Sequence, residues 1–259
     1  MENPRLFEGD ILNGSGNLSY NALANDGGLW PNGRIPYVID YSLQSLSSMI
    51  QSAMQQYHQK TCIRFVPYDG TQRNYVKIFN GQGCYANVGM VGGEQPLSLG
   101  QGCHYPGTVV HELGHVVGFY HEHTRSDRDQ YIDLYLENVD AQYYPQFEKL
   151  QPYDNRLYNK FDYNSVMLYG SKSFSNNGQY TMMSKSGGIL NEVHDKGGLS
   201  PADVERVQKL YKCSGSSGAN GGDFGGQNQI PTTQYPPVPP NWPWGEWAQN
   251  ESQKDKQSS

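Results

Sequence analysis

Three histidines and a glutamate lie close together in the segment HELGHVVGFYH, which begins at His111. His111 and His115 are four residues apart, so in a helix both imidazoles lie on one face and can reach a single tetrahedral ion. Glu112 lies beside them, and a carboxylate at this place can take a proton from water without binding the metal. The spacing predicts a helical metal site with Glu112 as the general base of a hydrolase.

The residues after His115 predict a third ligand. Gly118 can adopt a positive φ, which would end the helix and turn the chain back. His121 would then approach the same ion from outside the helix and leave one position open for water. Zinc suits three imidazoles and does no redox chemistry, so we expect one Zn²⁺ per chain. A closed structural zinc site and three histidines without a metal are the alternatives.

The composition limits the class of protein that carries this site. The 259 residues have a net charge of −6, without a cluster of lysine or arginine that would follow a nucleic-acid backbone or an anionic membrane. The sequence has no run of about 18 apolar residues, the length that a membrane-spanning helix needs. We therefore expect a soluble protein without nucleic-acid or membrane partners.

The cysteines indicate the compartment. They are Cys62, Cys84, Cys103 and Cys213. They are too far apart for a CxxC motif, and their even number suits two disulfides in any of three pairings. Sequons for N-glycosylation at Asn13, Asn17 and Asn250 fit the same oxidising compartment. We expect a secreted, extracellular glycoprotein. Because the chain opens MENPRLFEGD, its secretion signal is expected to have been removed or to lie outside this sequence.

The elements around the histidines have a mixed pattern. Apolar residues at helical spacing predict an amphipathic helix over 45–60, and the N-cap pair Ser200-Pro201 predicts a last helix that ends at Cys213. Short strands are predicted at 35–39, 62–68, 75–80, 85–88 and 95–99. Regular periodicity fades beyond residue 125. The fold class is therefore expected to be α+β.

The two ends of the chain differ from this centre. Residues 1–28 are polar apart from the cluster Phe7-Glu8-Gly9-Asp10, and we interpret them as an arm. From Ser214 onward, Gly/Ser-rich and then Pro-rich sequence predicts a disordered or extended tail, because it cannot bury a core. Three tryptophans lie in this tail, so partner binding is an alternative to an exposed low-complexity segment.

The segment HELGHVVGFYHEHTRSDRD, from His111 to Asp129, contains the HExxHxxGxxH motif of the metzincins. Glu122, directly after His121, makes it similar to the astacin family in particular. Other segments resemble astacin landmarks in the same order: Trp30, Gly33-Arg34-Ile35-Pro36-Tyr37, Thr61-Cys62-Ile63-Arg64-Phe65, Gly83-Cys84, Gly102-Cys103 and Ser165-Val166-Met167-Leu168-Tyr169. The resemblance covers about residues 29–213. It implies a two-lobed metzincin domain with a mixed sheet and the active-site helix in the N-terminal lobe, and an irregular C-terminal lobe with a final helix.

The resemblance also implies an activity and roles for single residues. The chain would be a zinc metalloendopeptidase acting on protein or peptide substrates. Met167 would be the methionine beneath the zinc, and Tyr169 a tyrosine that approaches the metal and then hydrogen-bonds the transition-state oxyanion. Leu168 replaces the histidine that usually precedes this tyrosine.

Two further expectations follow from the resemblance. The disulfides would join Cys62 to Cys213 and Cys84 to Cys103. The segment from Cys84 to Val88 would be a sheet edge that adds extended substrate as another strand, with Cys84, Tyr85 and Asn87 as substrate-binding residues.

The arm resembles an astacin propeptide. Its Phe7-Glu8-Gly9-Asp10 matches the FxGD motif, whose aspartate binds the zinc in place of the catalytic water, so Asp10 is the expected zymogen ligand; an inert arm is the alternative. The mature N-terminus would lie near residues 21–22, and Glu122 would receive its amino group. The expected domains are a propeptide at 1–20, a metalloprotease domain at 21–213 and the tail at 214–259. An activating protease is an expected partner, and its identity is open.

Two other functions fit parts of the pattern. A secreted binding or adhesion protein would keep the scaffold without turnover, although all the expected catalytic groups are present. A metal-dependent hydrolase of small amides would prefer dipeptides to long peptides. The oligomeric state is open, with a monomer expected.

Overall fold

The computed structural model describes residue 3 and residues 5–12, 26–153 and 155–213. The chain divides at about residue 215, and its second unit, 216–259, lies outside the described residues. The predicted tail, the expected mature N-terminus near residues 21–22 and all three sequons therefore lie outside them as well. None of the helices in the described ranges has the length and apolar character needed to cross a membrane.

A five-stranded mixed sheet is the base of the N-terminal half. Its strands are β1 (Arg34–Ile39), β2 (Arg64–Pro67), β3 (Tyr75–Phe79), β4 (Cys84–Ala86) and β5 (Glu94–Leu99). Their order in the sheet is β2-β1-β3-β5-β4, and only β4 is antiparallel to its neighbour. The short strand β4 therefore forms one edge of the sheet.

Two helices pack together in this half. Helix α1 (Ser47–Lys60) buries Ile50, Met54 and Tyr57, the apolar stripe that its spacing predicts, and helix α2 (Pro106–Val117) is buried along almost its whole length. The Tyr57 hydroxyl donates a hydrogen bond to the Val110 carbonyl, 2.8 Å away. Because Pro106 opens α2, the helix begins where a missing backbone N–H costs nothing.

The second half has little regular structure, as expected. A two-stranded sheet joins β6 (Ile132–Leu134) to β7 (Met182–Ser184), and short 3₁₀ turns alternate with longer irregular segments in the rest. Helix α3 (Pro201–Leu210) closes it, with a reciprocal capping box between Ser200 and Asp203. The α+β class and the mixed sheet are confirmed.

The predicted bounds were too wide at several ends. Helix α1 begins at Ser47 because a 3₁₀ turn, Tyr41–Leu46, precedes it. Strand β4 ends at Ala86, where its pairing with β5 ends, and α3 ends at Leu210 before Lys212 adopts φ +51°. These are ends at which tertiary contacts outweigh the local pattern.

Two disulfides tie distant segments together. Cys62 is joined to Cys213, 151 residues further along the chain, and Cys84 to Cys103, 19 residues further along. These are the pairs that the resemblance implies. The first links the end of α1 to the end of α3, and the second holds the edge strand β4 beside the segment that leads into α2.

The two bonds are expected to differ in stabilising effect. A crosslink restricts the unfolded chain more when it closes a longer loop, so replacing Cys62 and Cys213 by serine should cost about 2 kcal/mol more than replacing Cys84 and Cys103. Urea unfolding of the two double variants measures this difference in the free energy of unfolding. Equal losses, or a larger loss for the shorter loop, would contradict the loop-closure explanation.

Candidate metal centre

Two glycines shape helix α2 and its C-terminal end. Gly118 has φ +127°, and its N–H donates to the carbonyls of Gly114 and His115, which ends α2 as the sequence predicts. A Cβ on Gly114 would lie 2.5 Å from Met167 Sδ, so only a glycine allows Met167 to approach the helix this closely. The two glycines bring His121 and Met167 to the same end of α2.

Three histidine side chains converge in a fully buried space. His111 Nε2 lies 3.1 Å from His115 Nε2 and 3.1 Å from His121 Nε2. A tetrahedral zinc ion with bonds of about 2.0 Å requires ligand atoms about 3.3 Å apart, so the nitrogens have nearly the required spacing. The three residues come from the helix and from the turn that Gly118 allows.

Asp10 completes the cluster. Its Oδ2 lies 3.0 Å from His111 Nε2, and its Oδ1 lies 3.2 Å from His115 Nε2 and 3.3 Å from His121 Nε2. These four residues each offer a ligand atom, all within 4.8 Å of one another. A buried carboxylate facing three imidazole nitrogens fits a zinc ion well. Each of these groups loses its hydration on burial, and a bound cation would offset that cost.

The Nδ1 atoms of His111 and His115, on the side of each ring away from the cluster, form hydrogen bonds as well. His111 Nδ1 lies 2.7 Å from the Val166 carbonyl, and His115 Nδ1 lies 2.7 Å from the Phe119 carbonyl. A carbonyl only accepts, so Nδ1 carries the proton and Nε2 presents its lone pair to the centre. These two contacts hold the ring orientation of both histidines.

Burial and the charges within the cluster shift the pKa values of its members. Burial lowers the pKa of His111 to about 4. Burial opposes a charge on His121 too, yet the Asp10 carboxylate raises the pKa of His121 to about 9. Burial alone would raise the pKa of Asp10, but His121 and His115 lower it well below its usual value. The Asp10 carboxylate is therefore held in its ionised form, ready to act as a ligand.

Glu112 lies buried in α2, and neither of its carboxylate oxygens has a hydrogen-bond partner in the described part of the chain. Burial, with the nearby Asp10, raises its pKa well above the usual value. A buried carboxylate without partners is costly, and such groups are typical of sites that handle a proton. The role of Glu112 as proton acceptor stays a prediction.

Tyr169 reaches the cluster from the other half of the molecule. Its hydroxyl oxygen lies 2.8 Å from Asp10 Oδ2 and 2.7 Å from the Glu8 carbonyl oxygen. A hydroxyl has one proton, so it donates to one of these oxygens at a time. The tyrosine that the resemblance places near the metal thus contacts the arm.

Lys196 and Asp203 hold the turn that carries Met167. Lys196 Nζ donates to the Ser165 carbonyl at 2.8 Å and to the Leu168 carbonyl, and burial lowers its pKa to about 8. Asp203 accepts from the Ser165 hydroxyl at 2.6 Å and from the Val166 N–H at 2.9 Å. Sequence reasoning missed both residues, although Asp203 lies in the first turn of the predicted last helix.

Glu122 forms a buried ion-pair network beside the histidines. Arg206 donates to both carboxylate oxygens, at 2.6 and 2.7 Å, and Arg125 donates to one of them at 3.1 Å. Arg206 was not among the residues predicted from the sequence. Its position could have indicated a buried ion pair. Arg206 and Val207 lie together on the buried face of α3, where an arginine without a partner would be costly.

The arm lies along the edge strand. The Ala86 N–H donates to the Asp10 carbonyl and the Leu12 N–H donates to the Ala86 carbonyl, both at 3.0 Å, so Ile11 runs parallel to β4. The expected substrate-binding residues lie here too, with Cys84 and Asn87 buried and Tyr85 half-buried. The backbone of Ala86, which the sequence analysis did not single out, makes these bonds.

Comparison with known proteins decides the family. The family model described as "Astacin", a family of peptidases, matches residues 22–212. The chain belongs to the astacin family of zinc metalloproteinases. Zinc is the metal of this family, and the cluster of four buried residues could hold one such ion.

Relatives of this astacin include the zinc metalloproteinase nas-15 of Caenorhabditis elegans, 42% identical over 80% of this chain and 39% of the relative. The astacin-like metalloprotease toxin 1 of Loxosceles intermedia is 43% identical over 82% of this chain and 83% of the toxin. Among solved structures, a hatching enzyme zinc-protease of the medaka Oryzias latipes has a TM-score of 0.66 and 34% identity, covering 73% of this chain and 96% of that one. The chain thus spans about two fifths of the first relative and most of the other two.

The Glu122 network supplies a stability test. Arg206→Met would leave the buried Glu122 carboxylate without its bidentate partner and is expected to lower the free energy of unfolding by about 3–5 kcal/mol. Adding Glu122→Gln should recover part of this loss, while Arg34→Met at an exposed position of β1 should change stability by about 0.5 kcal/mol or less. Urea unfolding measures all three. A double variant no more stable than Arg206→Met would show that the pair is not coupled.

Proposed function

We propose that this astacin is the latent form of a secreted zinc endopeptidase that hydrolyses extended protein or peptide substrates. The observation that carries the proposal is the position of Asp10, whose carboxylate lies 3.0–3.3 Å from the Nε2 atoms of all three histidines. A carboxylate at that place would exclude water from a zinc ion held by the three histidines. Residues 1–20 would be the propeptide and 21–213 the protease domain.

The arm also occupies the edge at which substrate would bind. Its Ile11 is paired with Ala86 through two backbone hydrogen bonds, the kind of contact by which an extended peptide adds to a sheet. Tyr169, the expected oxyanion donor, is bound to Asp10 and to the Glu8 carbonyl. The arm therefore engages the metal cluster, the substrate edge and the oxyanion donor together, which supports latency over an inert arm.

Activation would follow removal of the arm near residues 21–22. Glu122 is the expected acceptor of the new amino group, and its carboxylate is already bound by Arg206 and Arg125. The new amino group would therefore either add to the ion pairs of Glu122 or replace one of its two arginines. It would not bind an unpaired carboxylate. The bond follows Ser19-Tyr20 and not a basic residue, so we expect an activating protease without trypsin-like specificity.

The residues present support peptide hydrolysis once the arm has left. Zinc, when bound, supplies a Lewis acid that polarises the scissile carbonyl and acidifies water. Glu112 would take the proton of the attacking water and pass it to the leaving amine. Tyr169, released from Asp10, would donate a hydrogen bond to the developing oxyanion. Ala86 would hold the substrate backbone beside Tyr85 and Asn87.

Two disulfides support an extracellular location for this protein, because such bonds persist in oxidising compartments. We also propose that the sequons at Asn13, Asn17 and Asn250 are glycosylated.

The latency proposal predicts the effect of Asp10→Ala. The full chain carrying this change should cleave a fluorogenic peptide at least about tenfold faster than the unmodified chain, which corresponds to about 1.4 kcal/mol of lost blocking free energy. Arg5→Ala, at an exposed residue of the same arm, should leave the low activity unchanged. If Asp10→Ala were as inactive as the unmodified chain, while arm-free protein was active, Asp10 would not be the blocking ligand.

The hydrolytic proposal predicts the effect of Glu112→Ala in protein whose arm has been removed. Loss of the general base should lower kcat by about 10²–10⁴-fold while zinc content stays the same. Zinc binding without any Glu112-dependent cleavage would contradict the proposal and favour a binding protein. Faster turnover of dipeptides than of long peptides would instead favour a hydrolase of small amides.

A further inference from the structure

The outer nitrogen of His121 has a different kind of partner from those of the other two histidines. His111 and His115 donate to the backbone carbonyls of Val166 and Phe119, which lie in the protease domain. His121 Nδ1 instead lies 2.7 Å from Glu8 Oε2. Glu8 is 113 residues away in the sequence and belongs to the arm. The third histidine is therefore oriented by a segment that activation would remove.

We propose that Glu8 is an outer-shell positioning residue of the latent metal centre, so that the arm retains zinc through His121 as well as through Asp10. The inference rests on the proposed latency, since it assigns a second task to the same arm. Removal of the arm would then weaken zinc binding in two separable ways, by loss of a ligand and by loss of the carboxylate that orients another ligand.

The backbone around Glu8 is shaped for this contact. Glu8 has φ +50°, a conformation that residues other than glycine rarely adopt, and Gly9 follows with φ +92°. A Cβ on Gly9 would lie 2.7 Å from Phe174 Cζ, so the chain passes close to the protease domain here. Such a conformation persists only where surrounding contacts hold it, and sites of this kind are often functional.

The Glu8 carboxylate is committed to His121. Its Oε2 accepts from the His121 backbone N–H at 3.2 Å as well as lying against Nδ1, so one oxygen binds two nitrogens of the same residue. The other oxygen, Oε1, has no hydrogen-bond partner in the described part of the chain, and the residue is 2% exposed. Burying a carboxylate in this way is costly, and the contact with His121 is the compensating interaction.

A carboxylate has a stronger effect on a ligating histidine than a carbonyl does. It fixes the tautomer with the proton on Nδ1, and it increases the electron density that Nε2 offers to a metal. Replacing such a partner typically lowers metal affinity by about 10–100-fold. Glu8 therefore acts through His121, whereas Asp10 would bind the metal directly.

The first test is the zinc dissociation constant of the full chain, measured by competition with a chelating dye. Glu8→Gln keeps the shape of the side chain but removes its charge, and it should weaken zinc binding by about 10–100-fold. Arg5→Ala, at the exposed arm position, should leave the affinity unchanged. Asp10→Ala should weaken binding further when combined with Glu8→Gln. Unchanged affinity in Glu8→Gln with the arm still docked would overturn the proposal.

Docking of the arm is read from hydrogen exchange of the amides of Leu12 and Ala86, which bond the arm to β4. If Glu8→Gln releases the arm, the unmodified zinc-loaded chain decides the question by nitrogen-15 NMR. The His121 Nδ1 proton should be protected from exchange and shifted to lower field than those of His111 and His115. An unprotonated or freely exchanging His121 Nδ1 would overturn the proposal. None of these readouts uses peptide hydrolysis, so failure of the proposed protease activity would be seen separately.

Discussion

The contact of one carboxylate with three imidazole nitrogens in a fully buried space is the constraint on which the rest of the structure depends. Each of these groups loses its hydration on burial, and none would remain there without the others or without a cation. The protein meets this cost by bringing three separate segments together: the helix α2, the turn after Gly118 and the arm at Asp10. The elements around the cluster hold these three segments in the positions that bring their side chains together.

The supporting network is mostly polar and buried. Lys196 and Asp203 hold the Met167 turn through its backbone, while Arg206 from the same helix as Asp203 binds Glu122 beside His121. Helix α3 is therefore a support for the metal centre as well as the end of the fold. The disulfide from Cys62 to Cys213 fixes that helix to the first half of the molecule. Loss of α3 from its place would release both the turn and Glu122.

Local pattern was enough to find the parts of the site that are close together in sequence. The spacing of His111, Glu112 and His115, and the glycine before His121, predicted three ligands and a base, because a helix converts spacing into a shared face; the structure brings the three imidazoles together. The amphipathic stripe of α1 and the cap at Ser200 were also visible, since propensity and tertiary packing agree there.

What the sequence could not provide were contacts between residues far apart along the chain. Nothing in the local pattern pairs Glu8 with His121 or Arg206 with Glu122, because these contacts exist only once the halves of the molecule have packed. Asp10 was found through the resemblance of its four-residue motif, not through its spacing from the histidines. The ends of β4 and α3 were set by pairing and by the chain reversal at Lys212, so periodicity alone placed them too far along.

The most direct test of the central claim is a crystal structure of the full zinc-loaded chain, with the metal located by its anomalous scattering. We expect one zinc ion bound by the Nε2 atoms of His111, His115 and His121 and by an Asp10 carboxylate oxygen, at about 2.0–2.2 Å. A zinc ion whose fourth ligand is water, with Asp10 outside bonding distance, would contradict the claim that the arm blocks the metal centre.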